Sequence, residues 1–335
     1  MRSTVYLIYF EWSNTKGNHA GMSYLANRLA SDYENVKLIK MISGKSKWKK
    51  VLNLLYIWVI SMRIKLTSEE GDCVFLMEFL ARSCFQDKLA TLLHRFGFKG
   101  KIIGLVHLAG SHLMEIYKSK EFIRLKMELL DECVVLGSSL ASFLKDEVGF
   151  RSTIKTFHYV DTDYYKPKVG DRVAGPVRVL CLGNIKRDFN TLRELILSLP
   201  TIHFDICQGM LNLQPYFDDC NNVTLHGFVS EDELLGLMQN NDICLSIMID
   251  TVGSNVITTS LATGLILVVS DVGSIRDYCT DECSFLCNDF NDYKQSIQKI
   301  AENLSLISQF KIKAIERGKM FSYNNFRNEF EKIIS

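Results

Sequence analysis

The chain has 335 residues, 47% of them hydrophobic and 23% charged, which excludes a disordered chain and suits two domains of about 150 residues each. Lysine plus arginine is 39 and aspartate plus glutamate 38, a net charge of +1, which excludes a general polycation for nucleic acid. Four prolines exclude a Pro-rich linker architecture.

Along the chain, short apolar runs alternate with longer amphipathic stretches. The first run is Val5–Phe10. No long apolar core with a small-residue cleavage site surrounds it, so no signal peptide is expected. It enters the turn Lys16-Gly17-Asn18-His19-Ala20-Gly21 and a helical pattern over Met22–Tyr33. A helix start of this kind favours an anion, which makes Gly21 a candidate contact. Next, Lys45, Lys47, Lys49, Lys50, Arg63 and Lys65 bracket VLNLLYIWVISM with no acid between them. That apolar core is shorter than the roughly 20 residues a bilayer needs. Such a segment either lies in an anionic membrane surface or packs between a sheet and its neighbours.

Further runs follow at Cys73–Met77, Lys101–Val106, Cys133–Leu136, Val177–Leu182, Ile202–Cys207, Asp242–Ile247 and Ile266–Ser270. Continuous apolar runs are what strands buried on both faces of a parallel sheet require. Helical patterns lie between them at Ser139–Glu147, Phe189–Ser198 and Glu231–Asn240. The alternation predicts an α/β protein of doubly wound sheets. Residues 159–176 carry two of the four prolines and no apolar period, and read as a linker. Asp161 and Asp163 in this stretch are either a metal-holding Asp-x-Asp pair or turn caps. The chain ends in a helical pattern over Ala314–Ser335, interrupted at FSYNNF.

The ten cysteines form no CxxC pair, and Cys279, Cys283 and Cys287 match no common zinc spacing. They read as reduced thiols of a cytosolic chain. There is no Walker GxxxxGK[ST], and no GxGxxG after a strand. The strongest constellation is Asp250-Thr251-Val252-Gly253-Ser254-Asn255, a helical pattern ending at Gly264, the run Leu265–Ser270, and Asp271-Val272-Gly273-Ser274. It describes a strand, a glycine loop, and a helix capped by Ser254 or Asn255 whose amides face the carboxyl edge of a sheet. Upstream, Gly183-Asn184-Ile185-Lys186-Arg187-Asp188-Phe189 places two cations after another strand, where Arg187 can grip a diphosphate and Lys186 add a point charge. Lys101–Val106 runs into His107, with His19 and His112 as weaker candidates; Glu11 and Trp12 follow the first run.

These segments resemble GT-B glycosyltransferases of the family 4 type. Asp250–Ser274 is similar to their donor-binding signature, Tyr159–Pro167 to the G-V-D-T-x-x-F-x-P before the second domain, Val223–Leu234 to V-x-x-x-G-x-V-x-x-x-E-L, and Phe321-Ser322-Tyr323 to F-S-W. Thr251 and Thr259 stand where the family has two glutamates, one on the donor sugar and one on the ribose; Asp250 is one position early. The resemblance implies two Rossmann-like doubly wound parallel-sheet domains facing across a cleft. An acceptor-binding domain would span 1–160, closed by a C-terminal helix at about 320–335, with a nucleotide-sugar domain over 175–319. It implies retaining transfer of a sugar from a nucleotide-diphosphate sugar, without a metal or other cofactor; if the basic segment 45–65 touches a membrane, the expected acceptor is a glycan or polyprenol-linked glycan of surface polysaccharide biosynthesis. His107, Arg187, Lys186 and Asp250 would be catalytic. Gly21, Gly183, Gly253, Ser254, Asn255 and Thr259 would hold the donor. The expected place is the cytoplasm, at the inner membrane face if residues 45–65 touch lipid. A sugar-nucleotide epimerase and a non-catalytic partner subunit remain as alternatives.

Overall fold

The computed structural model describes residues 3–12, 16–42, 47–170 and 175–335. Two compact units emerge: residues 1–157 with 326–335, and residues 158–325. The first is built on β1 (Val5–Tyr9), β2 (Val36–Lys40), β3 (Cys73–Leu76), β4 (Lys101–Val106), β5 (Glu132–Val135) and β6 (Thr153–Lys155). All pairings are parallel, in the order β2-β1-β3-β4-β5-β6. Its helices are α1 (Met22–Asp32), α2 (Lys47–Thr67), α3 (Gln86–Arg95), α4 (Gly110–Tyr117), α5 (Lys120–Met127) and α6 (Ser138–Ser142), which continues as a π-helix over Phe143–Val148.

The second unit repeats the plan with β7 (Arg178–Cys181), β8 (His203–Cys207), β9 (Val223–His226), β10 (Ile243–Ser246), β11 (Ile266–Ser270) and β12 (Ser284–Cys287). They pair in parallel in the order β12-β11-β10-β7-β8-β9. Its helices are α7 (Phe189–Ser198), α8 (Gln214–Phe217), α9 (Glu231–Asn240), α10 (Asn255–Thr263), α11 (Ile275–Tyr278), α12 (Phe290–Glu302) and α13 (Ser305–Met320). The last helix, α14 (Tyr323–Ile334), begins in this unit and ends in the first.

The eight apolar runs are the eight interior strands, and β1, β3, β10 and β11 are buried at every residue. Side chains such as Leu7, Val74, Ile243 and Val268 are 0% exposed, and each contributes about 1.5–3 kcal/mol by leaving water. The four strands that no run marked are the four edges, β2, β6, β9 and β12. Edge strands are covered less completely, so their apolar residues are diluted with lysines, threonines and histidine.

The stretch 159–176, read as a linker, starts inside the second unit. Val160 exchanges backbone bonds with Phe321 (2.8 Å) and Tyr323 (3.1 Å), while Tyr159 and Tyr165 are buried. The Tyr165 hydroxyl donates to Glu231 (2.7 Å). Asp161 accepts from the Asp163 amide (3.0 Å), a side-chain-capped turn rather than a paired carboxylate site.

In α2, Asn53, Ile57, Ile60, Ser61 and Ile64 are buried on one stripe. The opposite side is apolar too: Trp48, Val51, Leu52, Leu54, Leu55, Trp58, Val59 and Leu66 are all at least half exposed. Among the described residues, no helix is long and apolar enough to cross a membrane. Lys45 lies outside the described residues.

A buried carboxylate on β8 ties that strand to its neighbours β7 and β9. Asp205, 1% exposed, accepts from Arg178 Nη2 (2.7 Å) and Asn241 Nδ2 (3.1 Å), and its Oδ1 lies 2.8 Å from His226 Nε2. Burial works to raise its pKa, but the hydrogen bonds from Arg178, His226 and Asn241 outweigh it and hold the carboxyl below its ordinary value. A lowered carboxyl contributes stability that is complete above the unfolded value, near 3.9, and is lost as pH falls through the folded value. Asp205→Ala should lower the unfolding free energy in urea by about 2–3 kcal/mol at pH 7. The gap to wild type should close in acid.

Candidate functional site

The second sheet changes winding direction between β7 and β10. From β7 the chain moves outward to β8 and β9, and from β10 it moves the other way to β11 and β12. Loops after such a strand pair diverge and leave a crevice at the carboxyl edge. Here the two loops are pinned to each other. Arg187 pairs antiparallel with Met248. The Asp188 amide donates to Ile247 O (3.0 Å), and the Ile249 amide to Lys186 O (2.9 Å). The turn places Lys186 at φ 55°, in the left-handed region, without a glycine. Asp188 then starts α7 by accepting from the amides of Asn190 (3.1 Å) and Thr191 (3.0 Å).

This turn holds the Arg187 guanidinium under the loops. Its Nε donates to Leu182 O (3.4 Å) and its Nη1 to Ile185 O (3.0 Å). A side chain on Gly183, itself at φ 81°, would meet Nη2 at 3.0 Å and Val256 Cγ2 at 3.3 Å. Arg187 therefore sits between the β7 loop and the first turn of α10, and glycine is required for that approach. No carboxylate among the described residues pairs with it; its titratable neighbours are the thiols Cys181 and Cys244, both kept neutral by burial. Burial lowers its pKa. A half-buried guanidinium without a counter-charge is less well solvated than in water, and the cost falls when an anion arrives.

The start of α10 supplies the complementary feature. Ser254 has extended backbone and caps the helix without a side-chain bond. Its hydroxyl oxygen is buried and has no partner. The amides of Ser254 and Val256 meet no acceptor among the described residues. The Gly253 amide is different, because it donates to Thr251 Oγ1 (3.1 Å). Gly253, expected to hold the donor, thus has its amide committed within its own loop. Gly253, at φ 94°, cannot carry a side chain, since a Cβ would fall 2.3 Å from the Tyr278 ring.

The two threonines are both turned inward. Thr251 is 7% exposed and closes the loop onto Gly253. Thr259 is 2% exposed and donates to Asn255 O (2.5 Å). Threonine bonds back to its own helix in this way because its hydroxyl is short. Thr259, expected among the donor-holding residues, thus has its hydroxyl committed to its own helix. Asp250 is half-buried, with Oδ1 2.6 Å from where a Cβ on Gly273 would stand. The Ser274 amide donates to Thr251 O (2.8 Å) and braces the same loop.

Of the expected site residues, Gly183, Lys186, Arg187, Asp250, Gly253, Ser254 and Asn255 gather at this edge of the second unit. Gly21 and His107 belong to the first. The Gly21 amide donates to Asn18 O (2.9 Å), so it is not an open anion donor. His107 follows β4, and its Nε2 stands 3.2 Å from Oε2 of Glu78, which is 1% exposed. Trp12 Nε1 donates to the other oxygen, Oε1 (3.2 Å). Burial raises the Glu78 carboxyl, against the pull of His107 and the indole. Glu78 carried no expectation from sequence. The available signal was a single acid closing the run CVFLM.

No family model matches the sequence, and no curated protein matches it. Solved structures do match. Sucrose-phosphate synthase from Thermosynechococcus elongatus superposes with a TM-score of 0.80 at 14% identity, over 99% of this chain and 98% of that one. Anabaena HepE with UDP and glucose gives 0.73 at 12%, over 99% of each chain. The lipopolysaccharide outer core galactosyltransferase WaaB gives 0.70 at 14%, over 98% of this chain and 99% of that one. The chain has the GT-B fold, with two parallel α/β sheets.

Gly253→Ala forces a side chain into the Tyr278 ring at a left-handed backbone position. It should cost about 2 kcal/mol or more in thermal unfolding.

Proposed function

We propose that the protein transfers a glycosyl group from a nucleotide-diphosphate sugar. The observation that carries this reading is Arg187, a half-buried guanidinium with no carboxylate partner among the described residues, set beside the open end of α10 at the switch point of the second sheet. A diphosphate supplies the missing counter-charge. It would accept from Arg187 Nη2 and the Ser254 and Val256 amides, with the unpartnered Ser254 hydroxyl beside it. Lys186 adds a positive charge on the same turn. Breaking the bond between the anomeric carbon and the phosphate oxygen builds negative charge on that oxygen, and these donors stabilise it. The acceptor hydroxyl forms the new bond on the face from which the phosphate departs, and its proton passes to the leaving oxygen. Configuration is thereby retained. The similarity to HepE with UDP and glucose supports a uridine nucleotide, and that to WaaB supports a role in a surface polysaccharide. No metal is assigned a part in this scheme.

The acceptor is proposed to be lipid-linked. The exposed side of α2 is apolar and aromatic, and the helix carries Lys47, Lys49, Lys50, Arg63 and Lys65 with no acid. That combination suits an anionic bilayer surface at the cytoplasmic side. Binding by the first unit would bring it to a polyprenol-linked glycan.

Thermal unfolding with UDP-, GDP-, dTDP- and CMP-sugars tests the donor site. One nucleotide class should raise the Tm of the wild type and leave Arg187→Ala unmoved. Turnover of Arg187→Ala should fall about a hundredfold or more, equivalent to about 3 kcal/mol. Equal stabilisation of both proteins removes Arg187 from the site.

Co-sedimentation tests the membrane surface. Wild type should pellet with anionic vesicles and less with neutral ones, and Leu52→Glu with Leu55→Glu should stay in solution. No dependence on anionic lipid overturns the assignment.

A further inference from the structure

The turn that carries Arg187 leans on the chain just past β10, and that chain leans on β11. Arg187 and Met248 face each other as an antiparallel pair. The bonds that close the pair belong to the residues on either side: the Asp188 amide donates to Ile247 O and the Ile249 amide to Lys186 O. In a pair of this non-hydrogen-bonded kind, the Met248 amide points away from Arg187. It also lies beyond the parallel ladder of β10 with β11, which runs as far as Ser246 opposite Val269. Met248 is 4% exposed, so its amide needs an acceptor inside the protein. A side chain supplies it. Ser270, the last residue of β11, accepts from the Met248 amide through Oγ (2.5 Å).

The Ser270 hydroxyl is itself held. Its oxygen lies 2.6 Å from the Tyr293 hydroxyl of α12, and both residues are buried. Burial pushes the Tyr293 hydroxyl up to about 12, against the pull of the Ser270 bond, so it keeps its proton at pH 7. Two partners on one oxygen fix the serine rotamer with a lone pair on the Met248 amide. Without that acceptor, a buried amide is left unsatisfied, and residues 247–249 gain by shifting toward another one. The turn opposite would shift with them, because Lys186 sits at φ 55° and such a conformation persists only while its surroundings enforce it. Ser270 and Tyr293 border a cavity of about 300 Å³ at the ends of β10, β11 and β12. A water from that space can stand in for a deleted hydroxyl.

We propose that Ser270 and Tyr293 are positioning residues for Arg187. Through the Met248 amide they hold the antiparallel arm against which the arginine turn is set, and so they set the affinity for the anion that Arg187 receives. Their part is indirect, carried by one backbone amide. The identity of that anion rests on the glycosyl-transfer reading, while the placing of Arg187 does not.

Threonine and valine have nearly the same shape, and threonine alone keeps a hydroxyl. Ser270→Thr and Ser270→Val therefore add the same bulk and differ in the bond to Met248, and the valine methyl fills the place a water would take. In calorimetric titration with UDP, Ser270→Val should bind about tenfold more weakly than wild type and Ser270→Thr within about twofold of it, with Tyr293→Phe between them. Ile300→Val, in the same core on α12, lowers stability without touching these bonds and should bind UDP as wild type does. Equal affinity of the threonine and valine variants overturns the proposal. So does a loss in Ile300→Val that matches the loss in Ser270→Val, since stability alone would then explain both.

A second measurement needs no ligand. Arg187 Nε donates to Leu182 O, and the exchange of its proton with solvent is read by nitrogen NMR near pH 6, the signal being assigned by its absence in Arg187→Lys. Exchange should be about tenfold faster in Ser270→Val than in Ser270→Thr. Equal rates overturn the proposal, whatever UDP does. If the wild type binds neither UDP nor another nucleoside diphosphate, the glycosyl-transfer reading fails, and the exchange rates still decide what places Arg187.

Discussion

An arginine guanidinium set into a protein edge without a carboxylate opposes folding unless something else compensates it. Much of the second unit's local architecture serves to keep Arg187 in that condition. Two carbonyls, of Leu182 and Ile185, accept from it, but a carbonyl dipole does not neutralise a full charge. The turn that carries it spends a left-handed residue at Lys186 and a glycine at position 183. Backbone strain of this kind persists only where surrounding bonds over-determine it. Here they are the antiparallel contacts to Ile247, Met248 and Ile249. An edge that already carries an uncompensated positive charge has a counter-charge to gain from a bound anion.

The loop between β10 and α10 shows how such a site is held without acids. Where the resembling family has glutamates, this chain has threonines, and each satisfies backbone groups: Thr251 the Gly253 amide, Thr259 the Asn255 carbonyl. The loop is then fixed by packing, with Tyr278 against Gly253 and the Ser274 amide on Thr251. Asp250 remains as the nearby acid, against the turn after β11.

Both units place their chemically distinctive groups at the same topological position. In the second it is the β7/β10 gap with Arg187, and in the first the β1/β3 gap with Trp12, Glu78 and His107. The cause is geometric. Helices that leave neighbouring strands toward opposite faces cannot cover the edge between them, so polar groups survive there without blocking the core. Elsewhere the buried polar groups are structural, as with Asp205 and its three donors.

Continuous apolar runs marked β1, β3, β4, β5, β7, β8, β10 and β11 because strands covered on both faces admit little else. Gly183, Lys186, Arg187, Gly253 and Ser254 were legible for a related reason: loops after such strands are short, and glycines and cations in them stand out from the core. What sequence alone determined is therefore the α/β class, the interior strands and the loops that gather glycines and cations at one carboxyl edge. Tertiary structure decided the rest. Whether a hydroxyl or amide faces outward depends on which neighbour it satisfies, and only packing showed that Gly21 and Thr259 are bonded inward. The Glu78–His107 pair joins residues 29 positions apart through adjacent strands β3 and β4. No local period encodes that meeting, because it follows from the strand order, which is set by how whole helices pack.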